Sequence, residues 1–338
     1  MEKLKFAIIG CEHVHISIFV EEMLALGHEG IGICEPRNHE LATALAEKFG
    51  IPLIEDAEQL IAAADVIGSA AINNEKIDIV ERCERAGKPI MIDKPAATNR
   101  RDYERLRTVA ARGNIEVGML LTERFHPAIY TLKQKVDQAL LGDLVAISMR
   151  KPHQLNPASR PPWFFSKEQC GGILIDLLIH DYDLLRWLTG SEVVKSQGNM
   201  IQRLLPEHPG FYDSVSVQVV MENGVTAQLY ADWYTPDKSW TWGDGRICVT
   251  GTEGFAELRL SGDPFVAADP LLLCTTNSEQ PTRMTLIEAA DSISADFLKR
   301  VNGQPSLLTN EDVLAATLAS IEADEQVEII AVKERTKS

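Results

Sequence analysis

Lys5-Phe6-Ala7-Ile8-Ile9-Gly10-Cys11-Glu12-His13-Val14-His15, running into Ile16-Ser17-Ile18-Phe19-Val20, decides how the first third of the chain folds. Phe6 to Ile9 is an apolar run of buried-strand length that stops at a glycine. From Ile16 to Leu26 the apolar residues recur at helical spacing, and Gly27 stops them. The same alternation continues. Gly30 to Cys34 is a second run, ending at Glu35. Asn38 can cap a helix whose Leu41, Leu45 and Phe49 share one stripe, with Gly50 as its stop. Ile51 to Ile54 reads as a third strand. Asp56 caps a short helix, and Val66 to Ala70 is a fourth strand. Asn73 or Asn74 opens a helix that stops at Gly87, and Pro89 to Ile92 is a fifth strand. Thr98 caps a helix ending before Gly113, and Ile115 to Leu120 is a sixth strand. Short buried runs alternating with helices predict parallel strands covered on both faces, an α/β doubly wound nucleotide-binding domain.

Beyond Leu121 the pattern changes. A helix follows Pro127, Leu144 to Ser148 is a strand, and a Pro-rich loop runs from Lys151 to Gln169. An apolar helix from about Gly172 to Leu188 comes next. Then strand candidates follow in series: Val193 to Leu205, Ser214 to Met221, Val225 to Tyr234, Arg246 to Thr250 and Phe255 to Leu260. Asn223-Gly224 between two of them is a hairpin signal. This run predicts a large, mostly antiparallel sheet. Two late helices close the chain, the last opening near Thr309-Asn310.

The length of 338 residues suits two domains at about 150 residues each. The change of pattern puts the boundary between 1–122 and 123–338. Lys plus Arg number 33 and Asp plus Glu 49, a net charge of −16. So acidic a chain is a poor match for nucleic acid or an anionic membrane, both of which need a basic face. No apolar run reaches the roughly 18 residues of a membrane span. The start does not read as a signal peptide. Cys11, Cys34, Cys83, Cys170, Cys248 and Cys274 are scattered beside apolar or Gly residues, as buried free thiols in a reducing cytoplasm would be.

Gly10 stands where the first glycine of G-x-G-x-x-G belongs, but Glu12 and His15 occupy the other glycine positions. Glu12 must therefore turn away from a pyrophosphate. Glu35, ending the second strand, can accept from both adenosine ribose hydroxyls and would repel a 2′-phosphate, so NAD is expected over NADP. Arg37 softens that bias and leaves NADP possible. His13 and His15 form an H-x-H with no third ligand near in sequence, so no metal is expected; a place near the cofactor phosphates is. Asp93-Lys94-Pro95 follows the fifth strand and aims Lys94 at the crevice, with a peptide to Pro95 that can be cis. In the later helix Asp176 and His180 lie four apart on one face, with Asp183 three further on. They read either as a structural hydrogen-bonded pair or as an imidazole tuned for acid–base work by a carboxylate.

Asp93-Lys94-Pro95 resembles the Glu-Lys-Pro motif of the glucose–fructose oxidoreductase/inositol dehydrogenase (Gfo/Idh/MocA) family. The stretch Gly171-Gly172 through Asp176, His180 and Asp183 to Gly190 resembles its Gly-Gly-…-Asp-…-His helix. Arg124-Phe125-His126-Pro127 and Gly251-Thr252-Glu253-Gly254 extend the resemblance over nearly the whole chain. It implies a Rossmann domain, a second α/β domain whose open sheet often serves oligomerisation as a homodimer or homotetramer, and NAD(P)-linked oxidation of a sugar or polyol. Lys94, Asp176 and His180 match the family's catalytic positions. His180 would exchange the hydroxyl proton, with Asp176 orienting it. Lys94 would bind the reacting oxygen and hold down the pKa of His180. The cofactor contacts implied are Gly10, Glu12, His13, His15, Glu35, Arg37, Ala71, Asn73, Asp93 and Lys94. Asn73-Asn74-Glu75-Lys76 replaces the family's Pro-Asn-x-x-His. Arg124, His153 and Trp163, with Asp176 and His180, are the expected substrate contacts. Arg160, Trp233, Trp240 and Trp242 supply further aromatic and polar groups suited to a sugar ring. Two other readings remain open from sequence: a lyase or glycosidase using transient oxidation, and a non-catalytic sugar sensor.

Overall fold

The computed structural model describes residues 3–331. The chain forms two compact units, Met1–Thr122 with Glu168–Gly171 and Ala290–Leu318, and Glu123–Lys167 with Gly172–Ala289 and Ala319–Ser338. The first unit thus gathers two later segments that a single boundary after residue 122 leaves out.

In the first unit β1 (Lys5–Cys11), β2 (Glu29–Cys34), β3 (Val66–Ala70), β4 (Ile90–Ile92) and β5 (Val117–Met119) form a sheet in the order β2-β1-β3-β4-β5. Every pairing is parallel. The order reverses between β1 and β3, and a crevice at the carboxyl ends of such a pair is where open α/β sheets bind ligands. Phe6, Ile8, Phe19, Ile33 and Ile67 are fully buried, so the sheet is apolar on both faces as the continuous runs predict.

Two expectations need correcting. Ile51–Ile54 is not a sheet strand: it makes one parallel bridge, Ile33 to Leu53. Pro52 has no N–H to give, and the chain leaves at once for the helix capped by Asp56. The helix Arg100–Arg112 is capped by Asn99, whose side chain accepts from Asp102 N, and not by Thr98.

The second unit is built on β6 (Leu144–Pro152), β7 (Val193–Ile201), β8 (Ser214–Met221), β9 (Thr226–Asp232), β10 (Arg246–Gly251), β11 (Gly254–Arg259), β12 (Leu271–Thr276), β13 (Thr282–Arg283) and β14 (Glu328–Ile329). They form one sheet, β13-β12-β11-β10-β6-β9-β8-β7-β14. Only β6 with β9 and β14 with β7 pair in parallel. Asn223-Gly224 turns β8 into β9, with Gly224 at φ +87° and Met221 N donating to Val225 O at 2.8 Å. Inward residues of β8 alternate with outward ones, and the inner face takes the apolar helix. That helix comes in two pieces, Gly172–Leu177 and Ile179–Thr189, meeting at Leu178. Leu178 N still donates to Leu174 O and Tyr182 N to Leu178 O, so the axis is nearly continuous.

Candidate active site

In the first unit the candidate groups stand at the carboxyl ends of the parallel strands. Gly10 has φ +83°, and a Cβ there would lie 2.7 Å from the Ala71 Cβ. Ala71 therefore seats the turn by packing, and glycine is required for both reasons. Glu35 does not wait open for a ribose: Oε2 accepts from Cys11 N at 2.6 Å, and Oε1 from Arg37 N at 2.8 Å and Asn38 N at 3.2 Å. Each carboxylate oxygen has further lone pairs, so the group ties the loops together and keeps acceptor capacity for hydroxyls. Burial, then Glu35 and Glu12, push the Cys11 thiol far up, which leaves it unreactive.

Glu12 Oε1 meets Arg37 Nε at 3.1 Å. Arg37 also grips Glu75 through two nitrogens, at 2.9 and 2.6 Å. Bound by two carboxylates, it has little left to offer a 2′-phosphate.

Asp93 is buried, with Oδ2 2.7 Å from His13 Nδ1 and Oδ1 3.4 Å from His15 Nδ1. Its Oδ1 also accepts from Lys94 N at 2.8 Å. Burial raises the Asp93 pKa, but the imidazoles of His15 and His13 outweigh it and hold the carboxyl well below its usual range. Burial lowers His13 in spite of Asp93. The crossover connections thus bring Asp93, distant in sequence, to both histidines.

Lys94 is 5% exposed, and its peptide to Pro95 is cis. The carbonyls of this turn are held by a residue that sequence reasoning passed over. Lys76 is fully buried and donates to Asn73 Oδ1 at 2.8 Å, Asp93 O at 2.8 Å, Lys94 O at 3.0 Å and Pro95 O at 3.3 Å. Asn73 Nδ2 donates to Cys170 O at 2.8 Å. Asn73 is thereby a support of the turn. The only signal for Lys76 was a lysine in a position where the resembling family keeps histidine.

The residues fit a dinucleotide. Of the loop amides, Cys11 donates to Glu35 and Glu12 to Ala70. The amides of His13, Val14 and His15 meet no acceptor among the described residues, at the entry to the helix Ile16–Ala25. Amides of that kind at a helix N-terminus suit a pyrophosphate.

The second unit carries its own cluster. Asp176 and His180 are 8% and 9% exposed. Beside them lies a network sequence reasoning only touched: Lys151 pairs with Glu123 in a short contact and with Asp181 at 3.3 Å. One cation faces two carboxylates. Burial pushes the Asp181 carboxyl up to about 7, against Lys151 and with Glu123 adding to the rise. Burial also acts on Glu123, but Lys151 and then His180 overcome it and hold that carboxyl low. His180 and His153 both act electrostatically on Glu123, so imidazoles and ion network share one region.

His153 lies edge-on to Trp233 at 5.7 Å. Arg160 stacks over Phe164, Trp233 and Trp242, at 4.3, 5.3 and 5.4 Å. Trp163 is buried against Phe164. Arg124, expected at the substrate, is 2% exposed. It forks onto Asp183 at 2.8 and 2.5 Å and stacks on Trp187. A guanidinium so enclosed serves as a structural anchor between these groups.

The profile of an oxidoreductase family with an NAD-binding Rossmann fold matches residues 4–120. That of the Gfo/Idh/MocA C-terminal domain matches residues 129–257. The chain belongs to the Gfo/Idh/MocA family of oxidoreductases, and NAD is the cofactor of its Rossmann domain. Inositol 2-dehydrogenase of Rhizobium meliloti (strain 1021) is 30% identical over 223 residues, 63% of each chain. Myo-inositol 2-dehydrogenase of Thermotoga maritima is 25% identical over 300 residues, 84% of each. The chain spans a little under two thirds of the first of these relatives. A crystal structure of an oxidoreductase candidate from Erwinia carotovora atroseptica SCRI1043 superposes with a TM-score of 0.88 at 28% identity, covering 97% of this chain and 100% of that one.

Proposed function

We propose that this protein is an NAD-dependent dehydrogenase acting on a secondary alcohol of a sugar or polyol. One observation carries the reading. Asp176 and His180 are held four residues apart along one helical run, both nearly buried. Such a site costs folding free energy unless the groups do chemistry or pair. In this reading His180 takes the hydroxyl proton during oxidation and returns it in reduction. Asp176 orients the imidazole and stabilises it when charged. Lys94, at the end of β4, hydrogen-bonds the reacting oxygen and favours its developing negative charge. NAD, when bound, supplies the hydride acceptor.

Glu35 at the end of β2 and the double pairing of Arg37 favour NAD over NADP. The inositol dehydrogenases among the relatives make a cyclic polyol the first class to try. Neither the lyase nor the sensor reading has an observation in its favour. We further propose a cytoplasmic protein that self-associates as a homodimer or homotetramer through the open face of its large sheet. The free cysteines agree with a reducing compartment, and among the described residues no helix is long and apolar enough to cross a membrane.

The test is NADH formation over a panel of inositols and aldoses. Wild type should turn over at least one cyclic polyol, and His180→Ala should lose roughly a hundredfold or more in kcat with NAD affinity little changed. Equal rates in the two proteins would overturn the assignment.

A further inference from the structure

The side chains that replace the fingerprint glycine and its neighbour converge on the carboxylate after β4. An imidazole nitrogen from His13, one from His15 and a carboxylate oxygen of Asp93 all lie within 4.8 Å of one another. The Asp93 oxygens stand 2.7 Å from His13 Nδ1 and 3.4 Å from His15 Nδ1. Zinc–ligand bonds of about 2.0–2.1 Å put neighbouring ligand atoms of a tetrahedron about 3.3 Å apart. The two contacts use different Asp93 oxygens, so seating an ion asks one carboxylate oxygen and the two imidazoles to draw together around it, from ligand atoms that already lie within 4.8 Å of one another.

We propose that His13, His15 and Asp93 form a binding site for one divalent first-row transition-metal ion of the Zn2+ and Co2+ class. Two imidazoles and one carboxylate suit that class and not Mg2+ or Ca2+, which need more oxygen ligands. Asp93 is 2% exposed at its side chain, while His13 and His15 are 25% and 42% exposed. The anionic ligand is thus fixed and desolvated, and the imidazoles leave a way in from solvent. The two ring centroids are 4.1 Å apart with their planes at 70°, so the imidazoles are neighbours where both meet Asp93. Lys94 N holds Asp93 Oδ1 at 2.8 Å, the outer-shell bond that usually fixes a ligating carboxylate. The nearby charge of Lys94 opposes a cation, and the negative charge of Asp93 offsets it.

With three protein ligands a position stays open, as in sites that take water or an anionic group. It lies on the loop that faces the pyrophosphate in this fold. A cation there supplies the positive charge that close backbone approach supplies where Glu12 and His15 are glycines. The site stands on the first unit alone and does not depend on the substrate reading.

The test uses the full-length protein stripped with a chelator and dialysed. Co2+ is titrated while visible absorption is followed, and Zn2+ is titrated by calorimetry. The expected result is one ion per chain at micromolar affinity or tighter, with Co2+ bands of low-coordinate geometry. His15→Ala should weaken binding at least tenfold, and Asp93→Asn likewise. Cys248→Ser, the half-exposed thiol, should leave it unchanged. Because Asp93 is buried, His15→Ala, on a partly exposed ring, keeps the test decisive if Asp93→Asn misfolds. No saturable Co2+ signal, or equal affinity in His15→Ala, overturns the proposal. NADH binding, followed by fluorescence in the chelated protein, separates the two claims. Intact NADH binding without any Co2+ signal removes the metal site and leaves the cofactor reading standing.

Discussion

Lys76→Met removes one buried ammonium and leaves the strand-end turn that carries Lys94 without its donor. The carbonyls of Asp93, Lys94 and Pro95 and the Asn73 amide oxygen all receive Lys76. An acceptor left unsatisfied in the interior costs about 1–3 kcal/mol, so the carbonyls set a gross loss of several kcal/mol. Against it stands the desolvation of a fully buried charge, which the thioether relieves and which is itself worth several kcal/mol. The donor count and good distances favour the loss, leaving a net destabilisation of about 2–4 kcal/mol. Methionine matches the length of the stem, so packing is nearly conserved. The assay is urea denaturation followed by fluorescence, with NADH formation measured far below the transition so that only folded molecules count. The midpoint should fall. In the folded fraction kcat should fall more than tenfold with substrate KM less affected, because the turn that aims Lys94 has loosened. Lys76→Gln, which keeps a donor, should recover part of both. A Met variant as stable and as active as wild type would refute the argument that these bonds hold the turn.

Asp181 gives a pH prediction. Its folded pKa of about 7 lies above the ordinary 3.8, so the native state keeps a proton that the unfolded chain releases. Its contribution to stability is therefore full below pH 4 and declines as pH rises toward and through 7, at up to about 1.4 kcal/mol per pH unit. Glu123 acts in the opposite sense at lower pH, its depressed value costing stability as pH falls below the ordinary 4.5. Asp181→Asn should flatten the decline between pH 5 and 8 in denaturation midpoints; an unchanged decline would assign it elsewhere. Asp183→Asn should cost about 3–5 kcal/mol by leaving Arg124 buried without its carboxylate, checked by urea denaturation, with substrate KM unchanged in the folded enzyme. Glu35→Ser should narrow the NAD preference over NADP in parallel fluorescence titrations, while Arg37 stays held by Glu12 and Glu75.

Much of the fold is written in local pattern. Phe6–Ile9 closed by Gly10, the Asn38 and Asp56 caps, and the Asn223-Gly224 turn each act within a few residues, and each forms where it reads. Errors arise where two local signals compete: Thr98 and Asn99 both suit a cap, and Ile51–Ile54 is apolar but contains Pro52. The edge strands Thr282–Arg283 and Glu328–Ile329 are two residues long and carry no period to detect. In the site, residue types placed Lys94, Asp176 and His180 among the candidates, but not who holds them. Whether Asp93 meets His13 depends on three strands being ordered β1-β3-β4, a tertiary fact invisible in either motif. Arg124 and Asn73 entered as ligand contacts through the family resemblance, and the motifs gave no sign of the partners that hold them, Asp183 for Arg124 and Lys76 with Cys170 for Asn73.

The central claim is that His180 exchanges the proton of a polyol hydroxyl while NAD takes the hydride. The most direct measurement is single-turnover NADH formation from a cyclic polyol by wild type and His180→Ala, each saturated with NAD and followed across pH. Wild type should show a rate that rises with pH as the imidazole loses its proton, then levels. His180→Ala should be slower by roughly a hundredfold or more and lack that inflection. A His180→Ala enzyme with the wild-type rate and the same inflection would contradict the account.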